Sequence, residues 1–185
     1  MPSVLDTRID EAIANLSVPG GPLPLTDHVL PSGVSVPSIA AAPPTLTGYF
    51  AHFCGQHGDA DFIVDGAERL SFAQAHAMAT RIAHALVADY KVQKGDRVGI
   101  AMRNAPSWVV LYMGIMMAGG VATLLNGWWQ GGELCDGIAD VGAKLVFADP
   151  PRAARIAECG RSTGFEVALV DVALPIEEAM APVLM

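Results

Sequence analysis

Charged residues are scarce in this sequence. They make up 16% of the 185 residues, against about 25% in an average soluble domain. Only three lysines are present, the net charge is −8, and basic residues do not cluster anywhere along the chain. Nucleic-acid binding depends on clustered cations that contact phosphates, so nucleic acid is excluded as a partner. Because 52% of the residues are apolar, general disorder is excluded too, and the low charge indicates surface that a partner or further sequence covers.

Cysteine is also sparse. The three cysteines, Cys54, Cys135 and Cys159, are widely spaced and include no CxxC pair, which argues against a disulfide framework and against a zinc site. The first residues, MPSVLDTRIDEAIANL, are acidic and lack the basic-then-apolar pattern of a signal peptide. The sequence therefore predicts a chain of the reducing cytoplasm, without a metal site.

One stretch is apolar enough to raise the question of a membrane. Residues 108–125, WVVLYMGIMMAGGVATLL, contain no charge and reach the length that spans a bilayer, with Gly114 and Ala118 at small-xxx-small spacing. Gly119-Gly120 would end a helix inside this run, and the VATLL that follows is typical of a buried strand. No basic cluster flanks the run to fix an orientation. We therefore expect a buried helix followed by a buried strand, and no transmembrane segment.

Composition divides the chain into two regions. Residues 1–45 are rich in proline, glycine and serine and predict an extended arm with little packing of its own. Residues 46–185 alternate short apolar runs with segments of helical spacing. A helix is expected at 46–57 and a hairpin around Asp65-Gly66, followed by helices that alternate with strands at 97–102, 121–125, 144–148 and 166–170. This alternation predicts an α/β fold, a parallel sheet flanked by helices in a flavodoxin-like or Rossmann-like layer.

Helix starts in the second region carry recognisable signals. Ser71-x-x-Gln74 has the form of a capping box, Pro106 suits the first turn of a helix, and Asp149-Pro150 supplies an N-cap with a first-turn proline. The helix expected at 131–140 is weak, because each of its three glycines costs about 1 kcal/mol relative to alanine. We expect that helix and the loop before it to be mobile unless a partner surface holds them.

The loops that leave the carboxyl ends of the strands define the candidate site. In parallel α/β sheets these loops form the ligand crevice, and here they are residues 103–105, 126–130 and 149–150. Two of the three tryptophans of the chain, Trp128 and Trp129, lie in the second of these loops. The tryptophan loop, residues 126–130, is therefore expected at the ligand-binding edge of the sheet.

Several separated stretches resemble one protein family. LSFAQAHAMATRIAHAL, KGDRVGIAMRNAPSWVVLYMGIMMAGGVATLLNGWWQGGEL and GAKLVFAD are similar, in unbroken order from about Leu46 to Asp149, to the amino-terminal part of AMP-forming acyl-CoA synthetases, which belong to the adenylate-forming superfamily. The resemblance implies that residues 46–185 are an incomplete amino-terminal subdomain of the adenylate-forming fold, truncated before the phosphate-binding loop.

The resemblance also implies a function for the full-length parent. An ATP-dependent acid–CoA ligase joins a carboxylate to CoA through an acyl-adenylate, releases AMP and pyrophosphate, and uses ATP, Mg²⁺ and CoA. The family's phosphate loop and its catalytic lysine are expected beyond residue 185, and neither GxxxxGK[ST] nor GxGxxG occurs in the chain. The chain is thus expected to be an inactive scaffold with no catalytic or metal-binding residue, completed by the remainder of the same polypeptide.

Three residues are candidates for binding a ligand: Asn126, Trp128 and Trp129. Some relatives place a basic residue two positions after the asparagine, where it reaches toward CoA phosphates; here that position is Trp128, so no charge contact carries over. Asn126 is expected chiefly to cap or tie its loop. The tryptophans could line an acyl or pantetheine path, or fill the joint between subdomains, and packing in the joint is the favoured interpretation.

An alternative of a different class remains open. The chain could be a stand-alone flavodoxin-like binding or interaction module without catalysis. The carboxyl end, VDVALPIEEAMAPVLM, contains no obvious helix that would pack against a closed sheet, which favours the fragment. A fragment would leave a sheet edge and the tryptophan loop exposed, so we expect homo-oligomers through that apolar surface.

Overall fold

The computed structural model describes residues 2–159 and 164–184. The chain divides into two compact units, Met1–Tyr49 and Phe50–Met185. The first contains helix α1 (Val4–Ser17) and an antiparallel hairpin of strands β1 (Leu25–Val29) and β2 (Ser35–Ile39).

The expectation of an extended arm is wrong for α1 and for the hairpin. A capping box starts α1: the Ser3 hydroxyl accepts a hydrogen bond from the Asp6 amide at 3.2 Å, and the Asp6 carboxylate accepts one from the Ser3 amide at 2.7 Å. The bond from the Ser3 amide, followed by a hydrogen bond from the Ser3 side chain to the carboxylate, lowers the pKa of Asp6, since both favour its charged form. Proline and glycine are frequent in this region, but α1 contains neither of them, and Pro37 is accommodated within β2. No residue of α1 is buried.

The second unit follows the expected alternation closely. Its first helix, α2, starts at Leu46, which still belongs to the first unit. Its elements in chain order are α2 (Leu46–His57), β3 (Asp61–Asp65), β4 (Glu68–Ser71), α3 (Phe72–Ala88), β5 (Arg97–Ala101), α4 (Pro106–Met117), β6 (Val121–Leu124), α5 (Gly131–Val141), β7 (Leu145–Ala148), α6 (Pro150–Ala157), β8 (Glu166–Leu169) and α7 (Ile176–Met180). A turn of 3₁₀ helix, Ala181–Val183, comes after α7.

Strands β5 to β8 form the expected parallel sheet. Its order is β6-β5-β7-β8, and every neighbouring pair is parallel. Strands β3 and β4 form a separate antiparallel hairpin. The parallel order confirms the α/β fold, and it leaves β6 and β8 at the two edges of the sheet.

Helices cover both faces of the sheet. On one face, Val98, Ile100 and Phe147 pack with α3, α4 and α7 in the larger apolar cluster. On the other face, Ala101 and Val146 pack with α5 and α6 in a second cluster. Successive residues of β5 and β7 therefore point to opposite helix layers, which is why residues 98–101 and 145–148 are apolar throughout rather than alternating.

The apolar run 108–125 is divided between α4, a turn and β6, as expected. The expectation that this strand is buried is wrong, because β6 lies at an edge of the sheet and leaves Val121 and Leu124 exposed. Within the described residues, the structure contains no helix that is both long enough and apolar enough to cross a membrane. Gly114 serves packing between helices instead: a Cβ at this position would lie 2.5 Å from Cγ2 of Ile82 on α3. The small residue therefore allows α3 and α4 to approach closely.

The carboxyl end differs from the expectation, because it does form a packed helix. Ile176, Ala179 and Met180 of α7 are buried in the larger cluster. The Ile176 amide donates to the Glu68 carboxylate at 2.9 Å, across a large sequence separation. Five helical residues with two adjacent glutamates give a weak pattern, so tertiary contacts and not local spacing decide this element.

Candidate functional site

The three expected loops meet at one edge of the sheet. Strands β5, β6 and β7 are parallel, so their carboxyl ends lie side by side. The segments that follow them are residues 102–105, 125–130 and Asp149. One buried carboxylate joins the first and third of these segments, and one buried guanidinium joins the third to the second.

Asp149 is the carboxylate. It is fully buried and caps α6, accepting the Arg152 amide at 3.1 Å. The same side chain accepts the Arg103 amide at 2.9 Å and Nη1 of Arg152 at 3.1 Å. The sequence predicts the cap, but the contact with the loop after β5 depends on sheet order, which the sequence does not show.

Arg152 is the guanidinium, and 9% of its side chain is exposed. Its Nε and Nη2 both donate to the Gly127 carbonyl, at 3.0 and 2.8 Å. Arg155, one turn further along α6, donates from Nη1 to the carbonyls of Gly127 and Trp129, at 3.1 and 3.0 Å. Two arginines therefore hold alternate carbonyls of the tryptophan loop. Neither arginine is a candidate from the sequence; their spacing after an N-capping aspartate is the one signal that points to them.

The loop and the helix after it are thus held from within the chain, and do not need a partner surface to hold them. Asn126 ties its own loop as expected, since its side-chain oxygen accepts the Trp128 amide at 3.0 Å. Glu133 caps the start of α5 by accepting the Gln130 amide at 3.0 Å. Gly137 also has a reason to be glycine, because a Cβ there would overlap the ring of Trp129.

A disulfide between Cys135 and Cys159 further joins α5 to the end of α6. The expectation that the cysteines form no disulfide is therefore wrong. The two Cα atoms lie 6.8 Å apart although the residues are 24 positions apart in sequence, a proximity that only the packing of α5 on α6 creates. The cysteines consequently do not identify the compartment.

The two tryptophans have different environments. Trp129 is half-buried and packs against the second cluster, the one that contains Leu134 and Ile138. Trp128 is 86% exposed, an unusual state for the largest apolar side chain.

Trp128 lies on a groove at the carboxyl edge of the sheet. The groove has a volume of ≈ 630 Å³ and its lining includes Arg103, Trp108, Asn126 and Trp128. The side chain of Arg103 is exposed and, among the described residues, its guanidinium makes no hydrogen bond or ion pair. The structure therefore brings Asn126 and Trp128 to one surface with the free guanidinium of Arg103, whereas Trp129 packs against the second cluster.

Comparison with known proteins identifies the family. The model of the family described as AMP-binding enzyme matches residues 50–181. That span covers most of the chain and all of the parallel sheet, so the chain belongs to the AMP-binding enzyme family.

One protein similar to this chain is a fatty-acid–CoA ligase. Over 115 residues the chain is 34% identical to the medium/long-chain-fatty-acid–CoA ligase FadD6 of Mycobacterium tuberculosis, a match that covers 62% of this chain and 19% of that protein. The chain therefore spans about a fifth of the length of this relative.

Solved structures of acyl-CoA ligases share the fold. The benzoate CoA ligase from Burkholderia xenovorans gives a TM-score of 0.65 at 17% identity, covering 74% of this chain and 27% of that one. The N-terminal domain of FACL13 from Mycobacterium tuberculosis gives a TM-score of 0.64 at 24% identity, covering 75% and 35%. These similarities confirm the expected α/β fold, and this chain covers only part of each of those two structures.

Proposed function

We propose that this chain forms one wall of the acyl and CoA cleft in an ATP-dependent acid–CoA ligase. The reaction joins a carboxylate to CoA through an acyl-adenylate, with release of AMP and pyrophosphate. The observation that carries the proposal is the groove beside Trp128, at the edge of a parallel sheet where α/β proteins bind ligands, in a chain of the AMP-binding enzyme family. Because ATP and CoA are cytoplasmic metabolites, the proposal includes a cytoplasmic location.

The role of this wall is to shape the cleft, not to perform the chemistry. Phosphate chemistry requires cations that face the ligand, yet Arg152 and Arg155 are committed to loop carbonyls. The groove keeps only Arg103 free. We therefore propose that the remainder of the polypeptide holds ATP and Mg²⁺, and that the 185-residue chain is inactive alone.

Trp128 is the residue most suited to contact the ligand. Covering an aromatic ring of this size with an apolar ligand segment is worth about 1.5–3 kcal/mol, and its loop is held firmly by Asn126 and the two arginines, so little ordering is needed on binding. The ligand segment is either the acyl chain or the pantetheine arm of CoA.

The test is steady-state kinetics of the protein encoded by the whole reading frame, with Trp128→Ala. We expect the KM for either the fatty acid or CoA to rise about tenfold, because the lost contact is worth at least about 1.4 kcal/mol, which corresponds to a factor of ten. The KM for ATP should stay constant. The substrate whose KM changes identifies the path that Trp128 lines. Trp128→Phe, which keeps an aromatic face, should lose less. If all three KM values stay within a factor of two, Trp128 is not part of the cleft.

A further inference from the structure

We propose that Cys135 and Cys159 form a reversible redox link that controls the order of the tryptophan loop. The proposal of a redox link goes beyond the proposed ligase function and rests on it only for the cytoplasmic location. Disulfides in that compartment are, where they occur, usually transient or redox-sensing rather than structural.

The disulfide lies next to the residues that follow the tryptophan loop. Three alternate carbonyls of residues 127–131 face α6 and the residue pair after it: Gly127 and Trp129 accept from Arg155, and the Gly131 carbonyl lies 2.9 Å from Sγ of Cys159. Cys135 stands one turn into α5 from Gly131. The disulfide therefore joins the start of α5 to the end of α6, at the point where the tryptophan loop ends.

Residues 127–131 are packed closely there. A Cβ on Gly131 would lie 2.7 Å from the Arg155 carbonyl, so α5 begins in direct contact with α6. Trp129 packs against the same cluster as Cys135 and Ile156. Separation of α5 from α6 would consequently release both the ring of Trp129 and the carbonyls that the arginines hold.

Backbone carbonyls are also available as hydrogen-bond acceptors for the two thiols of the reduced state. Sγ of Cys135 lies 3.7 Å from the Ile156 carbonyl, and Sγ of Cys159 lies near the carbonyls of Gly131 and Arg155, at 2.9 and 3.5 Å. Each thiol can therefore donate to a backbone acceptor once the disulfide opens, so reduction leaves no buried thiol without a partner.

Accessibility sets the order of the exchange. Cys159 is half-buried, whereas Cys135 is 4% exposed. With oxidised glutathione, the Cys159 thiolate attacks one sulfur and releases one glutathione thiolate; the Cys135 thiolate then displaces the second. Two protein thiols lose two electrons and two protons, and one glutathione disulfide becomes two glutathione thiols.

The experiment compares hydrogen exchange of the chain equilibrated with oxidised glutathione and with reduced glutathione. In the oxidised chain, intact mass should show the loss of two hydrogens and peptide mapping should join Cys135 to Cys159. We expect the amides of Trp128, Trp129 and Leu134 to exchange about tenfold or more faster in the reduced chain, as in local opening. Amides of β7 should not change.

Variants separate the link from other effects of the reagent. Cys135→Ser with Cys159→Ser should exchange at the reduced rate in both buffers. Cys54→Ser should keep the full response, because Cys54 is buried, and that burial raises the pKa of its thiol. Failure of the disulfide to form, or equal loop exchange in the oxidised and reduced wild-type chain, would overturn the proposal.

Discussion

Asp149→Asn should destabilise the chain by about 3 kcal/mol. Asparagine keeps an oxygen that can cap α6, but it removes the charge that faces Arg152. Loss of one partner from a buried ion pair costs about 3–5 kcal/mol, and Arg152, with 9% of its side chain exposed, has little access to water. The lower value applies because Arg152 keeps the Gly127 carbonyl. A loss of this size is a large fraction of the total stability of about 5–15 kcal/mol of a small domain.

Two further variants test where this energy comes from. Asp149→Ala also removes the N-cap, which adds about 1 kcal/mol. Replacing both partners, as Asp149→Asn with Arg152→Met, should cost less than the sum of the two single changes, because the double variant leaves no buried charge alone whereas each single variant does.

The assay is urea unfolding followed by circular dichroism, with Asp65→Asn as the control. Asp65 lies on the exposed end of β3, so the same chemical change there should stay within about 0.5 kcal/mol of the wild type. Asp149→Asn should also speed amide exchange in the tryptophan loop. If Asp149→Asn loses less than about 1 kcal/mol, the buried pair does not hold the three loops together.

Two further predictions concern α5 and the sheet edges. Gly137→Ala should destabilise the chain despite the better helix propensity of alanine, because the added Cβ would overlap the ring of Trp129. Gly132→Ala should instead stabilise the chain by up to about 1 kcal/mol, because nothing lies within 4 Å of the Cβ added there. Thermal unfolding of this matched pair checks the account, and equal shifts would contradict it. The chain should also self-associate in sedimentation velocity through β6 and β8, where Leu124 and Leu169 are exposed; Leu124→Lys with Leu169→Lys should weaken this association. A wild-type monomer at the highest attainable concentration would refute it.

Local signals were sufficient for most of the second unit. The capping box of Ser71 and Gln74 starts α3 as expected, and Asp149-Pro150 starts α6. These signals act through hydrogen bonds within one turn, so they can be read from neighbouring residues. The same holds for the parallel sheet, because its strands are mostly apolar and alternate with helices along the chain.

The features that depend on contacts across the fold could not be predicted. Nothing local indicates that Arg152 and Arg155 reach a loop that precedes them by 25 to 28 residues, or that Cys135 meets Cys159. α7 is held by tertiary packing and by the bond to Glu68, so its short sequence pattern was insufficient. At the candidate site, the sequence placed the tryptophan loop after β6, whereas the exposure of Trp128 and the contacts that hold this loop became visible only in the structure.

The most direct test of the ligase proposal is ATP–pyrophosphate exchange. It compares the protein encoded by the whole reading frame with the 185-residue chain. We predict exchange that depends on a fatty acid for the whole protein, followed by acyl-CoA formation when CoA is added, and no exchange for the chain alone. Absence of carboxylate-dependent exchange in the whole protein would contradict the proposal that this chain is a wall of a ligase cleft.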